Sequence, residues 1–165
     1  MQPRLLISVL LALAAHGEQY SILGTVDHFA GNEIRIRNPK RTVTVLIDHR
    51  TVGASGLKHG GEVSVRADLD GSGKLVARRV WTKVVTFSAT VRGGEQDDIE
   101  VLTSPPREEH RMVHLLPETA LSTNRSDLSP GQYIRVTGIE VENGSVDAAR
   151  ITIYNTDLPA RRERF

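Results

Sequence analysis

The stretch GSVDAARI, residues 144–151, has a near copy in GKLVARRV, residues 73–80. Each is Gly, any residue, apolar, any residue, Ala, any residue, Arg, apolar, and the two lie 71 positions apart. Working outward extends the match. Leu57, Gly60, Val63 and Val65 fall on Leu128, Gly131, Ile134 and Val136 at the same offset of 71. Closer to the N-terminus the offset is 65: Ile22, Gly24, Val26, Ile34 and Ile36 fall on Phe87, Ala89, Val91, Ile99 and Val101. The six extra residues of the second copy are expected around TSPPREEH, residues 103–110, where two prolines interrupt strand pairing. The chain therefore reads as two copies of one unit, at residues 19–82 and 84–155.

Each unit is patterned for strands. Ile34 and Ile36 alternate with Glu33, Arg35 and Arg37; Val43 and Val45 alternate with Thr42 and Thr44; Val63, Val65 and Ala67 alternate with Ser64, Arg66 and Asp68. Period two with one polar side marks half-buried strands. Ala-Gly-Asn, Asn-Pro-Lys and Asp-Gly-Ser-Gly separate them with turn-forming residues. No stretch carries a helix-length apolar stripe, and the one expected helical turn is VGASGLKHG, residues 52–60. Three strands, a short connector ending in Leu-x-x-Gly, and two more strands give the plan of an OB-type barrel. Leu57 and Leu128 are placed to plug the barrel mouths, and Ala77 and Ala148 mark tight packing. The expected fold is all-β: two tandem five-stranded OB-like barrels.

The pattern G-x-V, I-x-I, L-x-x-G-x-x-V-x-V, A-x-R-V resembles the small OB-like domains of unknown function found in bacterial envelope proteins, often in tandem. The resemblance covers nearly all of the chain after its first residues. It implies a non-enzymatic periplasmic or secreted module, with no catalytic motif to transfer. The second copy departs from the pattern around residues 103–127.

The N-terminus has the layout of a secretory signal: Arg4, an apolar run from Leu5 to Ala15, then small residues at Ala15 and Gly17. The run is shorter than the roughly 20 residues that cross a bilayer. Residues 1–17 are expected to be a cleaved signal peptide, giving an exported, periplasmic or secreted product with no stable membrane insertion. Without cysteine, no disulfide supports it. Residues 18–82 carry a net charge of +3, residues 83–158 carry −5, and the basic tail, within residues 156–165, adds +2 through PARRERF.

The residues give little purchase for catalysis. Cysteine and Gly-x-Ser-x-Gly are absent, so no nucleophile is marked. His110 and His114 sit four apart in a strand-like segment, about 13 Å along a strand at 3.3 Å per residue, too far for one zinc. DLDGSG, residues 68–73, has the start of a calcium loop but no downstream Glu at the required spacing, and it reads as a hairpin turn. No enzyme activity, cofactor or metal is expected.

Binding is the expected role. Arg35, Arg37, Lys40, Arg41 and Arg50 occupy outward or loop positions of the first copy, and Trp81 follows its last core residue. These six are the candidate ligand-binding residues, with Trp81 also suited to packing between barrels. The expected partner is an envelope protein, a glycan or a small anionic ligand. The alternative is single-stranded nucleic acid, which OB barrels bind with basic grooves and aromatic platforms. Against it, no strand of this chain alternates basic and aromatic residues.

Overall fold

The structure, a computed structural model, describes residues 19–154. The signal segment at 1–17 and the basic tail at 156–165 lie outside the described residues. The rest forms ten strands: β1 (Gln19–Ala30), β2 (Glu33–Arg37), β3 (Thr42–Leu46), β4 (Glu62–Leu69), β5 (Leu75–Trp81), β6 (Val84–Glu95), β7 (Asp98–Thr103), β8 (His110–Leu121), β9 (Tyr133–Glu140) and β10 (Val146–Tyr154). They close into two barrels, one with strand order β1-β2-β3-β5-β4 and the other with β6-β7-β8-β10-β9. In each, the third and fifth strands pair in parallel and all other neighbours are antiparallel. This is the OB topology, and closure leaves neither sheet with a free edge. A single 3₁₀ turn, Ala54–Gly56 or Arg125–Asp127, links the third strand to the fourth. Leu57 and Leu128 follow these turns and pack on the core of their own barrel.

The cores are separate, and matched residues fill them. Ile22, Val26, Ile34, Ile36, Val63, Val65, Ala77 and Val80 are buried in the first. Val91, Ile99, Val101, Ile134, Val136, Ala148 and Ile151 stand at the corresponding places in the second.

The repeated Ala-x-Arg has a physical meaning. Ala77 pairs with Ala67 and Arg79 with Arg66, so Arg78 is an extra residue in the ladder. Ala148 pairs with Gly138 and Arg150 with Thr137, so Ala149 is the extra residue there. Each copy thus carries a β-bulge at the same point of its last strand, which sharpens the bend needed to close a small barrel. The alanine carbonyl beside the bulge is taken up by a threonine hydroxyl in both, Thr51 to Ala77 at 2.7 Å and Thr119 to Ala148 at 2.6 Å. A second shared bulge lies in the first strand of each unit, between Val26 and His28 and between Val91 and Gly93.

One expectation is corrected. Val113 pairs with Ile99 as Val45 pairs with Ile34, an offset of 68. Thr119 and Thr51 keep that offset, and Leu128 and Leu57 reach 71. Only three of the six extra residues therefore lie in the β7–β8 connection around TSPPREEH, and the other three lie between Thr119 and Leu128. Pro117 is accommodated because β8 leaves its β7 partner after His114 and resumes pairing with β10 only at Ala120.

Thr82 and Lys83 alone separate the barrels. The outward faces of the two meet in an apolar seam of Leu23, Ile139 and Val141, flanked by Trp81, Leu116 and Ala149. A charged pair crosses it. Asp147 is fully buried, and its carboxylate accepts from Arg66 at 2.6 and 3.0 Å in a bidentate pair. The Ser64 hydroxyl donates to the same carboxylate. The Arg66 guanidinium lies 5.4 Å from the centre of the Trp81 ring and that of Arg79 5.9 Å, a cation–π geometry. Arg79 also reaches across to Glu142 at 2.6 Å. Lys83 binds Glu140 at 2.6 Å and so straps the linker to β9.

Two predictions come from this seam. Removing one member of a buried pair leaves an unpaired charge and costs about 3–5 kcal/mol, whereas an apolar replacement of both is often neutral. Arg66→Met leaves Asp147 charged and dry, and the expected loss in urea unfolding is about 3 kcal/mol; Arg66→Met/Asp147→Leu recovers most of it. An equal loss in the double variant contradicts this assignment. Gly138 is a second sensitive point, because a Cβ there would sit 2.3 Å from the Asp147 carbonyl oxygen. Gly138→Ala is expected to lower stability by about 1–3 kcal/mol, read in the same urea titration.

Candidate functional site

The alternation of β2 and β3 places Ile34, Ile36, Val43 and Val45 inside and leaves Glu33, Arg35, Arg37, Thr42 and Thr44 on the outer face. Arg35 pairs across with Thr44 and Arg37 with Thr42. Lys40 and Arg41 follow in the β2–β3 turn, which is built by Asn38. The Asn38 side-chain carbonyl accepts from the Lys40 and Arg41 amides at 3.0 and 2.9 Å, and the Asn38 backbone N–H donates to the Arg41 carbonyl at 2.9 Å. Four cations thus share one face and its turn. Their neutralisation is slight: Arg37 has Asp27 at 3.8 Å, and Arg35 and Arg41 make no ion pair among the described residues.

Arg50 is not with them. It lies beyond the far end of β3, in a turn where its amide donates to Asp48, and β3 itself puts about 13 Å between Thr42 and Leu46. That amide holds the Asp48 carboxyl below its ordinary range. Trp81 lies half-buried beside the seam between barrels, under Arg66 and Arg79.

The second barrel inverts the charge of this face. Glu100 stands in place of Arg35, Leu102 in place of Arg37, and Asp98 in place of Glu33. His110 binds Glu100 and His114 binds Asp98, both at 2.7 Å. Each histidine therefore has its own carboxylate partner, and among the described residues no group of three ligating side chains is placed to hold a metal. In DLDGSG, Asp70 accepts from the Ser72 hydroxyl and from the Ser72 and Lys74 amides, which lowers its carboxyl and commits it to the hairpin turn.

Beside the β2–β3 turn, a cleft of about 350 Å³ opens between the barrels. Leu23, Ile139 and Ala149 form its apolar wall, Arg37, Asn38 and Glu62 line the first-barrel side, and Glu118, Thr137 and Arg150 line the other. The Leu116–Thr119 segment of β8, where the ladder is interrupted, leans onto the first barrel here. Lys40 donates its ammonium to the Pro117 carbonyl. Asn38, 8 % exposed, donates to Glu118 Oε1 at 3.2 Å. Glu118 Oε2 is buried without a hydrogen-bond partner, a state that costs about 1–3 kcal/mol or more for a charged group.

Sequence patterning finds Arg35, Arg37, Lys40 and Arg41 but misses Asn38, Glu118, Arg150 and the Arg66–Asp147 pair. One signal was available for the last. Asp147, inside GSVDAARI, occupies the place of Val76, so a carboxylate replaces an apolar residue in otherwise matched copies. No comparable signal marks Glu118, whose counterpart at offset 68 is Arg50.

Comparison with known proteins adds a family. A model described as Domain of unknown function (DUF5666) matches residues 24–80 and 110–152, more than half of the chain, and the chain belongs to this family. No curated protein matches it. Among solved structures, drosophila Unr CSD456 is similar at 14% identity and a TM-score of 0.35, over 86% of this chain and 63% of that one. The chain thus spans less than two thirds of the length of that structure.

Asn38 joins the basic turn to the second barrel, which gives a direct test. Asn38→Ala is expected to cost about 1–3 kcal/mol, from two turn amides and Glu118 losing their partner. Hydrogen exchange at the Lys40 and Arg41 amides is expected to rise; unchanged protection there contradicts the capping role.

Proposed function

We propose that this protein is an exported, non-enzymatic binding module of the cell envelope, whose first barrel captures an anionic ligand through Arg35, Arg37, Lys40 and Arg41. The observation that carries this reading is the sparsely paired cationic face of β2, β3 and their turn, on the sheet that OB barrels use for binding. The ligand class it favours is an acidic glycan. Charge draws an anionic chain to the face, and threonine hydroxyls at 42 and 44 supply neutral hydrogen bonds between the guanidinium groups. Nucleic acid is the competing ligand. Stacking platforms would be needed for single strands, and β2 and β3 carry no aromatic residue.

Export is supported by the basic, apolar and small-residue layout of residues 1–17. The non-enzymatic reading is supported by the side chains on the basic face, where guanidinium and ammonium groups stand among threonines with no nucleophile–base pair.

The test compares retention of residues 18–165 on a sulfated-glycan resin with retention on immobilised single-stranded DNA across a salt gradient. Retention on the glycan at physiological salt is expected, and Arg35→Glu/Arg41→Glu is expected to abolish it with unchanged unfolding. Retention that survives this double variant contradicts the assignment. Preferential, salt-sensitive retention on DNA selects the nucleic-acid reading instead.

A further inference from the structure

We infer that the outer face of β9 and β10 is a second subsite for the acidic glycan proposed for the first barrel, reached by one chain that crosses the cleft; the inference rests on that reading. It begins with cross-strand pairs. On the β2–β3 face, Arg35 stands opposite Thr44 and Arg37 opposite Thr42. On the second barrel, Arg135 stands opposite Thr152 and Arg150 opposite Thr137. The buried Ile134, Val136 and Ile151 alternate with these four and fix them on the outer face. The two faces are built on non-equivalent strands of the repeat, so duplication does not account for their shared arginine–threonine pairing. Arg135 and Arg150 are exposed and make no ion pair among the described residues.

The corresponding face of the first barrel has a different use. Leu23, Arg66 and Trp81 there join the seam with the second barrel, and Ser88, Thr137 and Thr152 hold their places in the second copy. Tyr154, 41 % exposed, pairs with Tyr133, their rings 5.9 Å apart and tilted by 40°. The Ser104 hydroxyl donates to the Tyr133 hydroxyl at 3.3 Å and braces that ring. An exposed ring beside a guanidinium suits an acidic sugar, whose C–H face packs on the ring while its anionic group meets Arg135. From Tyr133 to Thr137 on β9 and from Arg150 to Tyr154 on β10 there is no carboxylate. Glu140, at the end of β9, is taken up by Lys83 and Arg111. β7, which bears Asp98 and Glu100, borders neither β9 nor β10.

The cleft joins the two faces, with Arg37 from one and Thr137 and Arg150 from the other along its walls. It also holds two carboxylates, Glu62 and Glu118. A strand of nucleic acid, charged at every unit, would bring phosphates against them, and a single tyrosine pair gives few bases a platform. A glycan can cross with a neutral, hydroxyl-bearing unit and place its charged units on the arginines at either side. The β2–β3 face and turn carry four cations against two here, so a short chain occupies the first barrel first.

The experiment titrates ¹⁵N-labelled residues 18–165 with heparin-derived oligosaccharides of four and twelve sugars and with a twelve-base oligo-thymidine, following amide shifts and affinity. Both glycans are expected to shift Thr42 and Thr44, and only the longer one to shift Thr152 and Tyr154 as well. Arg135→Glu/Tyr154→Ser, at exposed positions, is expected to weaken the longer glycan about tenfold or more and to leave the shorter within about twofold, because only linked subsites add their affinities. Arg35→Glu/Arg41→Glu is expected to abolish binding of the shorter glycan. Shifts at Thr42 and Thr44 with none at Thr152 and Tyr154 overturn the second subsite and leave the first-barrel reading standing. No shifts with either glycan overturn both. Tighter binding of the oligo-thymidine overturns the glycan assignment. The shift comparison is made on the unsubstituted protein, so it decides even if a variant perturbs folding.

Discussion

The bidentate contact between Arg66 and Asp147 is the constraint on which the molecule's working surfaces depend. Two barrels of this size, joined by Thr82 and Lys83, each have an independent core. Their relative position rests on a small apolar seam, on this pair and on the more exposed contacts Arg79–Glu142, Asn38–Glu118 and Lys40–Pro117. Asp147 is wholly out of water, so its charge is tolerable only with Arg66 and Ser64 in place. An apolar seam alone is permissive in angle, because apolar contacts are non-directional. A two-pronged hydrogen bond is not. The pair therefore contributes orientation as much as affinity, and the cleft and the Asn38–Glu118 contact exist only in that orientation.

Duplication and divergence divide the labour. The inward positions of the two units stay matched, because both must fill a small barrel and bulge at the same points. The outward positions have separated in charge. The β2–β3 face carries Arg35 and Arg37, and the β7–β8 face has Glu100 and Leu102 in their places, with Glu100 and Asp98 paired to His110 and His114. Arg66 and Asp147 arose on opposite members of the pair, at places held by Thr137 and Val76 in the other copy.

Fold was legible in the sequence wherever a residue's neighbour lies within its own strand. The alternation of Ile34 and Ile36, and of Val63 and Val65, gave the inward face directly, and the repeat supplied strand order through the Leu-x-x-Gly connector. The location of the extra residues was only half legible, since the offset of 68 becomes visible only when Val113 is seen to take the place of Val45. The site was legible as far as the basic face, because Arg35 and Arg37 follow strand period and Lys40 and Arg41 a turn. Nearness in sequence groups Arg50 with them, and β3 carries it to the opposite end. Glu118 and Asn38 are 80 positions apart and meet only through the packing of one barrel on the other. No local pattern encodes that distance.

Residual dipolar couplings of backbone amides, collected for both barrels in one weakly aligned sample, test most directly whether the barrels form one body. A single alignment tensor is expected to fit residues 19–81 and 84–154 together in the orientation set by Arg66 and Asp147. Tensors that differ in magnitude or axis between the barrels would contradict a locked seam, and with it a preformed cleft.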